Sequence, residues 1–283
     1  MNQFRNARKH YFFPLLEALR QSLYCHGNII DHYKGWAYNS MTQYDIEFRF
    51  HDDAQSYVRQ LMYHLEAKFH LGLFKDNRPV PHVTLAGPFI IGNEKPDDEK
   101  KMVTDFIALC CKTPICSYEI NTYAFSDATR SVCIRIDPGE EMNAFEINLL
   151  ETLAPYFSPQ KKESEDPYVF HATVVRNVNP QKYEQIKKHA EQIKPLHFKH
   201  YIIRITITKE HKFLCEYDFL TRLVLTQKEA LDKKQEFCDR TLYHQFLNKK
   251  TNPDDSLNKM PVIPDEIFAR PLWTKITDSL KKI

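Results

Sequence analysis

The sequence predicts an α+β fold of two pseudo-symmetric lobes, each an antiparallel sheet with helices on its outer face, with the active cleft between them. Two observations carry this expectation. The order strand, helix, charged loop, strand occurs twice at a nearly constant offset: the first strands start at Asp45 and Ser131, 86 positions apart, and the second strands carry His82 and His171, 89 positions apart. Each second strand also bears the same pattern, His-x-Thr and then an apolar residue, as His82-Val83-Thr84-Leu85 and His171-Ala172-Thr173-Val174. Duplication is a statement about the whole fold, and a pseudo-twofold relation brings the two motifs face to face across a cleft.

The elements follow from local pattern. Residues 1–43 form an N-terminal extension, with a helix over 10–26 that has Pro14 near its start, Leu15, Leu16, Leu19 and Leu23 on one side, and Gly27 at its end. Tyr44 to Phe50 alternates apolar and polar residues and reads as a strand. Asp52 and Asp53 then offer an N-cap. The helix from Ala54 to His70 puts Ala54, Val58, Leu61, Met62, Leu65 and Phe69 on one face, and Gly72 is placed to end it. A basic loop with Lys75 and Arg78 leads to the first motif strand. Glu99 to Cys111 is a helix with Met102, Phe106, Ile107 and Cys110 inward, and Ser117 to Ser126 a strand.

The second copy opens with the alternating strand Ser131 to Asp137. Pro138-Gly139 turns the chain, and the helix from Glu140 to Phe157 follows. A charged loop with Lys161 and Lys162 leads to the second motif strand. Pro180 to Lys194 is a lysine-rich helix burying Tyr183, Ile186, Ala190 and Ile193. Tyr201–Thr208 and Phe213–Phe219 form an antiparallel pair, turned at Lys209-Glu210-His211, that completes the sheet of one lobe. Lobe one covers about 44–112 and lobe two about 113–225, with exchange of strands between them left open. After that, 226–283 is a helical and loop extension. It holds a helix over Gln227–Asn248 with Ala230, Leu231, Phe237, Leu242 and Phe246 roughly periodic. A proline-rich loop or linker over Thr251–Pro264 and a short helix from Phe268 follow.

On an extended strand the side chains at i and i+2 share a face. Each motif therefore sets an imidazole beside a hydroxyl, with Val83 and Leu85, or Ala172 and Val174, on the other side. Two histidines supply a base and an acid that titrate near neutrality. Two threonines supply donors for phosphate oxygens. Together they make a complete set for phosphodiester chemistry without a metal: His82 and His171 exchange protons, and Thr84 and Thr173 stabilise charge on the non-bridging oxygens. Which histidine is the base is open.

With the two tetrapeptides on the page, the chain resembles the 2H phosphoesterase superfamily, which includes the 2′,3′-cyclic nucleotide phosphodiesterases once named 2′-5′ RNA ligases. Pro81 before His82, Gly87-Pro88-Phe89 after it, and Arg176 after the second motif resemble the RNA-ligase-like branch. The resemblance covers about 44–221. It implies an enzyme that cleaves 2′,3′-cyclic phosphates or related phosphodiesters on RNA ends or nucleotides, with no cofactor. It also implies a phosphate contact for Arg176. The offset of five from His171 sets against that a surface charge, unless the strand ends or bulges near Asn177. Tyr168 and Phe89 are candidates to stack on a base, against packing in the core. Arg49, between Phe48 and Phe50, is a weaker candidate to project into the cleft.

Composition bounds the rest. A net charge of +2 suits a short or terminal RNA substrate rather than a long duplex, and no DNA partner is expected. Six glycines leave no Gly-rich phosphate loop. No apolar run is long enough to span a membrane. Seven cysteines (25, 110, 111, 116, 133, 215 and 238), none in a Cys-x-x-Cys pair, read as reduced, mostly buried thiols of a cytoplasmic protein. No carboxylates stand at ligand spacing near either motif, so no metal is expected. The readings set against hydrolysis are a binding module of the same fold with negligible catalysis, cleavage of 2′-5′-linked oligoadenylate, and the reverse joining of RNA ends.

Overall fold

The computed structural model describes residues 42–74, 80–91, 96–156, 169–193 and 197–268. The expected helices over 10–26 and beyond Phe268 lie outside them. Among the described residues, nine strands form two antiparallel sheets. One has the order β2-β1-β7-β8-β9, built from Gln43–Arg49 (β1), His82–Ile90 (β2), Arg204–Lys209 (β7), Lys212–Asp218 (β8) and Leu223–Leu225 (β9). The other has the order β5-β4-β3-β6, built from Ser117–Ser126 (β3), Ser131–Pro138 (β4), His171–Val175 (β5) and Phe198–Tyr201 (β6).

The expected single strand over Tyr201–Thr208 is therefore two. β6 pairs with β3 in one sheet and β7 with β1 in the other. Between them Ile202 and Ile203 are both buried, which breaks the alternation at the point where the chain changes sheets. The turn at Glu210-His211 has φ of 51° and 57° in succession, the two-residue hairpin geometry whose twist matches the flanking strands.

The helices are Asp52–Phe69 (α1), Pro96–Lys112 (α2), Glu140–Leu153 (α3), Pro180–Gln192 (α4), Gln227–Ala230 (α5) and Lys233–Leu247 (α6). α1 and α4 lie together, α1 touching β5 and α4 touching β3 and β4; α2 lies against α3, which reaches β2, β3 and β4. Asp52 and Asp53 sit inside the first turn of α1, where they favour its positive end, and the N-cap is His51. The left-handed residue that ends α1 is His70 rather than Gly72.

Gly87 marks the closest approach of β2 to β1. Its φ is +129°, and an added Cβ would stand 2.9 Å from the Asp45 Cα. Only glycine meets both demands without strain.

The C-terminal region packs on the body. The expected helix over Gln227–Asn248 is broken because Asp232 accepts from the Lys234 amide at 3.0 Å and starts a new helix. Leu231 and Phe237 are exposed, and Tyr243 is the aromatic residue that α6 buries, against His200 (ring centroids 5.3 Å) and His51 (5.5 Å). Burial holds both His51 and His200 below the usual imidazole value. The stretch 251–264 is pinned rather than free: Arg222 pairs with Asp254 and donates to the Thr113 carbonyl at 2.8 Å, and the Asn258 amide donates to the Cys111 carbonyl at 2.8 Å.

α6 is also held through Arg204, whose guanidinium meets Glu216 at 2.8 Å, Asp218 at 3.3 Å, and Asp239 of α6. Three carboxylates share one cation. Burial first, and then the Asp218 charge, push the Asp239 carboxyl up to about 7. A carboxyl whose folded value exceeds its unfolded one stabilises the fold at low pH and loses that contribution as pH rises through the folded value.

Two predictions follow from these contacts. Gly87→Ala is expected to lose about 1–3 kcal/mol, read as a lower denaturation midpoint. The melting temperature of the parent is expected to fall between about pH 4 and pH 7, and Asp239→Asn, which cannot ionise, to flatten that fall; an equal fall in the variant would assign it to other groups.

Candidate functional site

The two motif strands occupy equivalent places. β2 is the outermost strand of one sheet and β5 the outermost of the other, and the two lie against each other. Along β2, Val83 and Leu85 are fully buried while His82 is exposed and Thr84 half-buried. Along β5, Ala172 and Val174 are buried while His171 and Thr173 are half-buried. The alternation thus puts the chemically able side chains on the open side of both strands.

The imidazoles are anchored alike. His82 Nδ1 lies 2.9 Å from the Val80 carbonyl oxygen, and His171 Nδ1 lies 2.8 Å from that of Val169. A carbonyl can only accept, so Nδ1 carries the proton in both rings, and Nε2 of the neutral ring carries the lone pair.

The ladder neighbours extend the pattern. Arg49 is opposite His82 on β1, and Arg135 is opposite His171 on β4. Glu47 is opposite Thr84, and Cys133 is opposite Thr173. Arg49 and Arg135 are themselves 86 positions apart, as are Glu47 and Cys133. Arg135 and Glu47 were legible through the offset that aligns the two first strands, but a search centred on the His-x-Thr strands passes them over.

The neighbours differ in chemistry. Glu47 Oε2 stands 3.6 Å from His82 Nε2, and Oε1 accepts from Arg49 Nε at 3.1 Å. Cys133 Sγ stands 3.8 Å from Thr173 Oγ1, and burial pushes its thiol up to about 11. Arg135 pairs with Asp137 at 2.9 Å. Further along β1, burial raises the Asp45 carboxyl, with His211 3.8 Å away working against it.

Arg176 stands just past the end of β5, where Asn177 turns left-handed with φ of 56°. That strand end meets the condition its odd offset imposes, and its charge acts on Cys133 beside Thr173. Phe89 is a correction: it is buried and stacks on Tyr44 at 5.9 Å, so no face of its ring is open to a base. Phe89 is seven positions from His82, an odd offset, so plain alternation carries it to the buried face with Val83 and Leu85. Tyr168, Lys75, Arg78, Lys161 and Lys162 lie outside the described residues. Among the described residues no helix is long and apolar enough to cross a membrane.

Residues 50–211 match the family described as the 2′-5′ RNA ligase superfamily. Solved structures with a likeness include E. coli LigT complexed with 3′-AMP, 17% identical over 66% of this chain and 100% of that one, with a TM-score of 0.41. Another is a phosphoesterase, 15% identical over 66% and 100%, with a TM-score of 0.41. A third is Kluyveromyces marxianus Usb1 with uridine monophosphate, 15% identical over 59% and 94%, with a TM-score of 0.36. No curated protein matches the sequence.

Proposed function

The chain belongs to the 2′-5′ RNA ligase superfamily, and on that premise we propose that it is a phosphodiesterase acting on the 2′,3′-cyclic phosphate of an RNA end or nucleotide. The observation that carries this reading is the meeting of two edge strands whose imidazoles are anchored through Nδ1 in the same way. The neutral ring of one histidine takes the proton of the attacking water at Nε2 as the water oxygen bonds to phosphorus. The protonated ring of the other gives its Nε2 proton to the ribose oxygen as the P–O bond breaks. One proton is taken and one is returned, and a phosphomonoester is the product. Thr84 and Thr173 face the same opening and donate to the non-bridging oxygens, where negative charge grows in the transition state. With the ribose hydroxyl of a second RNA end in place of water, the same groups open the cyclic phosphate: the hydroxyl oxygen bonds to phosphorus, one ring takes its proton, the other protonates the leaving ribose oxygen, and a phosphodiester is the product.

The His-anchoring bonds matter because a wrong tautomer would present a proton where a lone pair is needed. The backbone carbonyls of Val80 and Val169 fix that choice without a side chain.

His82→Ala and His171→Ala are each expected to lower the rate of cyclic phosphate hydrolysis by about 10²–10⁴. Thr84→Ala and Thr173→Ala are expected to lower it by about 10–10³. Circular dichroism of each variant should match the parent. The pH–rate profile of the parent should be bell-shaped, since one ring acts neutral and the other charged. Tight binding of cyclic nucleotides with no product in the parent would instead mark a binding module.

A further inference from the structure

Next to the second motif strand lies a half-open pocket of about 450 Å³, lined from the end of β5, the start of α4 and the segment after α1. Its size lies in the range of small-molecule sites. Thr173 lies two residues before Val175 and three before Arg176, both of which line it. At the rise of an extended strand, the backbone of these two lining residues stands about 7–10 Å from that of the threonine.

The walls are built in advance. Glu66 accepts from the amides of Gly72 at 3.1 Å and Leu73 at 2.9 Å, and those bonds, Leu73's first, hold its carboxyl below the usual value. Lys182 Nζ donates to the carbonyls of Phe69 at 3.0 Å and His70 at 3.2 Å, tying α4 to the end of α1. The Asn177 amide donates to the Thr129 carbonyl at 3.1 Å and holds the opposite side. A preformed site loses less on binding than one that must be ordered.

The lining has three kinds of group. Leu71 and Leu73, both half-buried, offer apolar surface to a flat ring, Asn177 and Gln181 offer carboxamides, and Arg176 and Lys182 offer cations. Carboxamides pair in two-pronged fashion with the edges of bases, apolar surface takes their faces, and guanidinium takes phosphate. This is the complement of a nucleotide, and it continues the line of the strand that holds His171 and Thr173.

We propose that this cavity binds the nucleoside that precedes the terminal one on an RNA strand, so that the protein acts on oligonucleotide ends in preference to mononucleotides. The inference rests on the phosphodiester reading of the cleft. It also agrees with a net charge of only +2, which suits one further nucleotide rather than a long phosphate track.

The test uses the full chain with adenosine 2′,3′-cyclic phosphate and with the four dinucleotides that add one 5′-linked nucleoside to it. At least one dinucleotide is expected to show about a tenfold higher kcat/KM than the mononucleotide. Gln181→Ala removes a carboxamide and Leu73→Trp fills the space; in each, that ratio should fall several-fold. Equal kcat/KM for all substrates in the parent, or a ratio unchanged in both variants, overturns the proposal while leaving the hydrolase reading intact. If the parent cleaves none of them, the hydrolase reading fails, and calorimetry with 3′-AMP and the corresponding 3′-phosphorylated dinucleotides decides on the cavity alone. Tighter dinucleotide binding that both variants lose supports it, and equal or absent binding overturns it.

Discussion

Everything at the cleft depends on how the chain passes from one sheet to the other between Tyr201 and Arg204. The two motif strands are edges of different sheets, and no ladder joins them directly. Their mutual position is set by what holds the sheets together. At the crossing, the Ile202 amide donates to the Cys116 carbonyl at 2.8 Å, where β3 begins. The Phe219 amide donates to the Ile203 carbonyl at 2.8 Å, where β8 ends. Both isoleucine side chains are buried. A flexible linker at this place would let the sheets shift, and misplacement by about 1 Å costs such a site about a hundredfold in rate. Two backbone bonds and two apolar side chains make the crossing a rigid joint. β7 and β8, which follow both motifs in sequence, thus complete the sheet that carries the first one.

The polar side of the five-stranded sheet brings a second constraint. Thr84, Glu47, Thr206 and Glu216 lie in one row across four strands. The Thr206 hydroxyl donates to Glu216 at 2.6 Å, and Arg204 answers Glu216 from the next row. Buried charge of this kind is tolerated when each group has partners, and is costly when one is removed. α6 closes the end of this row through Asp239. The C-terminal region is therefore part of how the sheet keeps charged groups near the cleft, and not a separate attachment.

How much of this was legible depends on whether the signal was local. Strand alternation and helical spacing are local, and β3 falls on the residues expected of it, Ser117 to Ser126. The repeat offset carried the pairing of the motifs, because two copies of one unit meet through symmetry. The split of β6 from β7 was not legible, since two sheets can each accept a strand and only tertiary packing assigns them. The burial of Phe89 was legible, because its odd offset from His82 places it by alternation on the face of Val83 and Leu85. The break between α5 and α6 was available from Asp232, a good capping residue, but a run of helix formers on either side masked it.

The two half-sites agree in backbone and differ in side chains. Each imidazole is held through Nδ1 by the carbonyl two residues before it, and each has an arginine across the ladder. Backbone geometry therefore does not tell the acid from the base. The neighbours of the threonines do differ. Beside Thr84 stands a carboxylate, 3.6 Å from His82 Nε2, and beside Thr173 a thiol that burial keeps protonated. A carboxylate only accepts, so its contact with Nε2 is complementary to the ring that carries a proton there. A buried thiol brings no charge to the other half. On the proposed reaction one ring acts as acid and the other as base, and the first strands of the repeat, which carry Glu47 and Cys133 at matching ladder positions, are where the two half-sites differ in side chain.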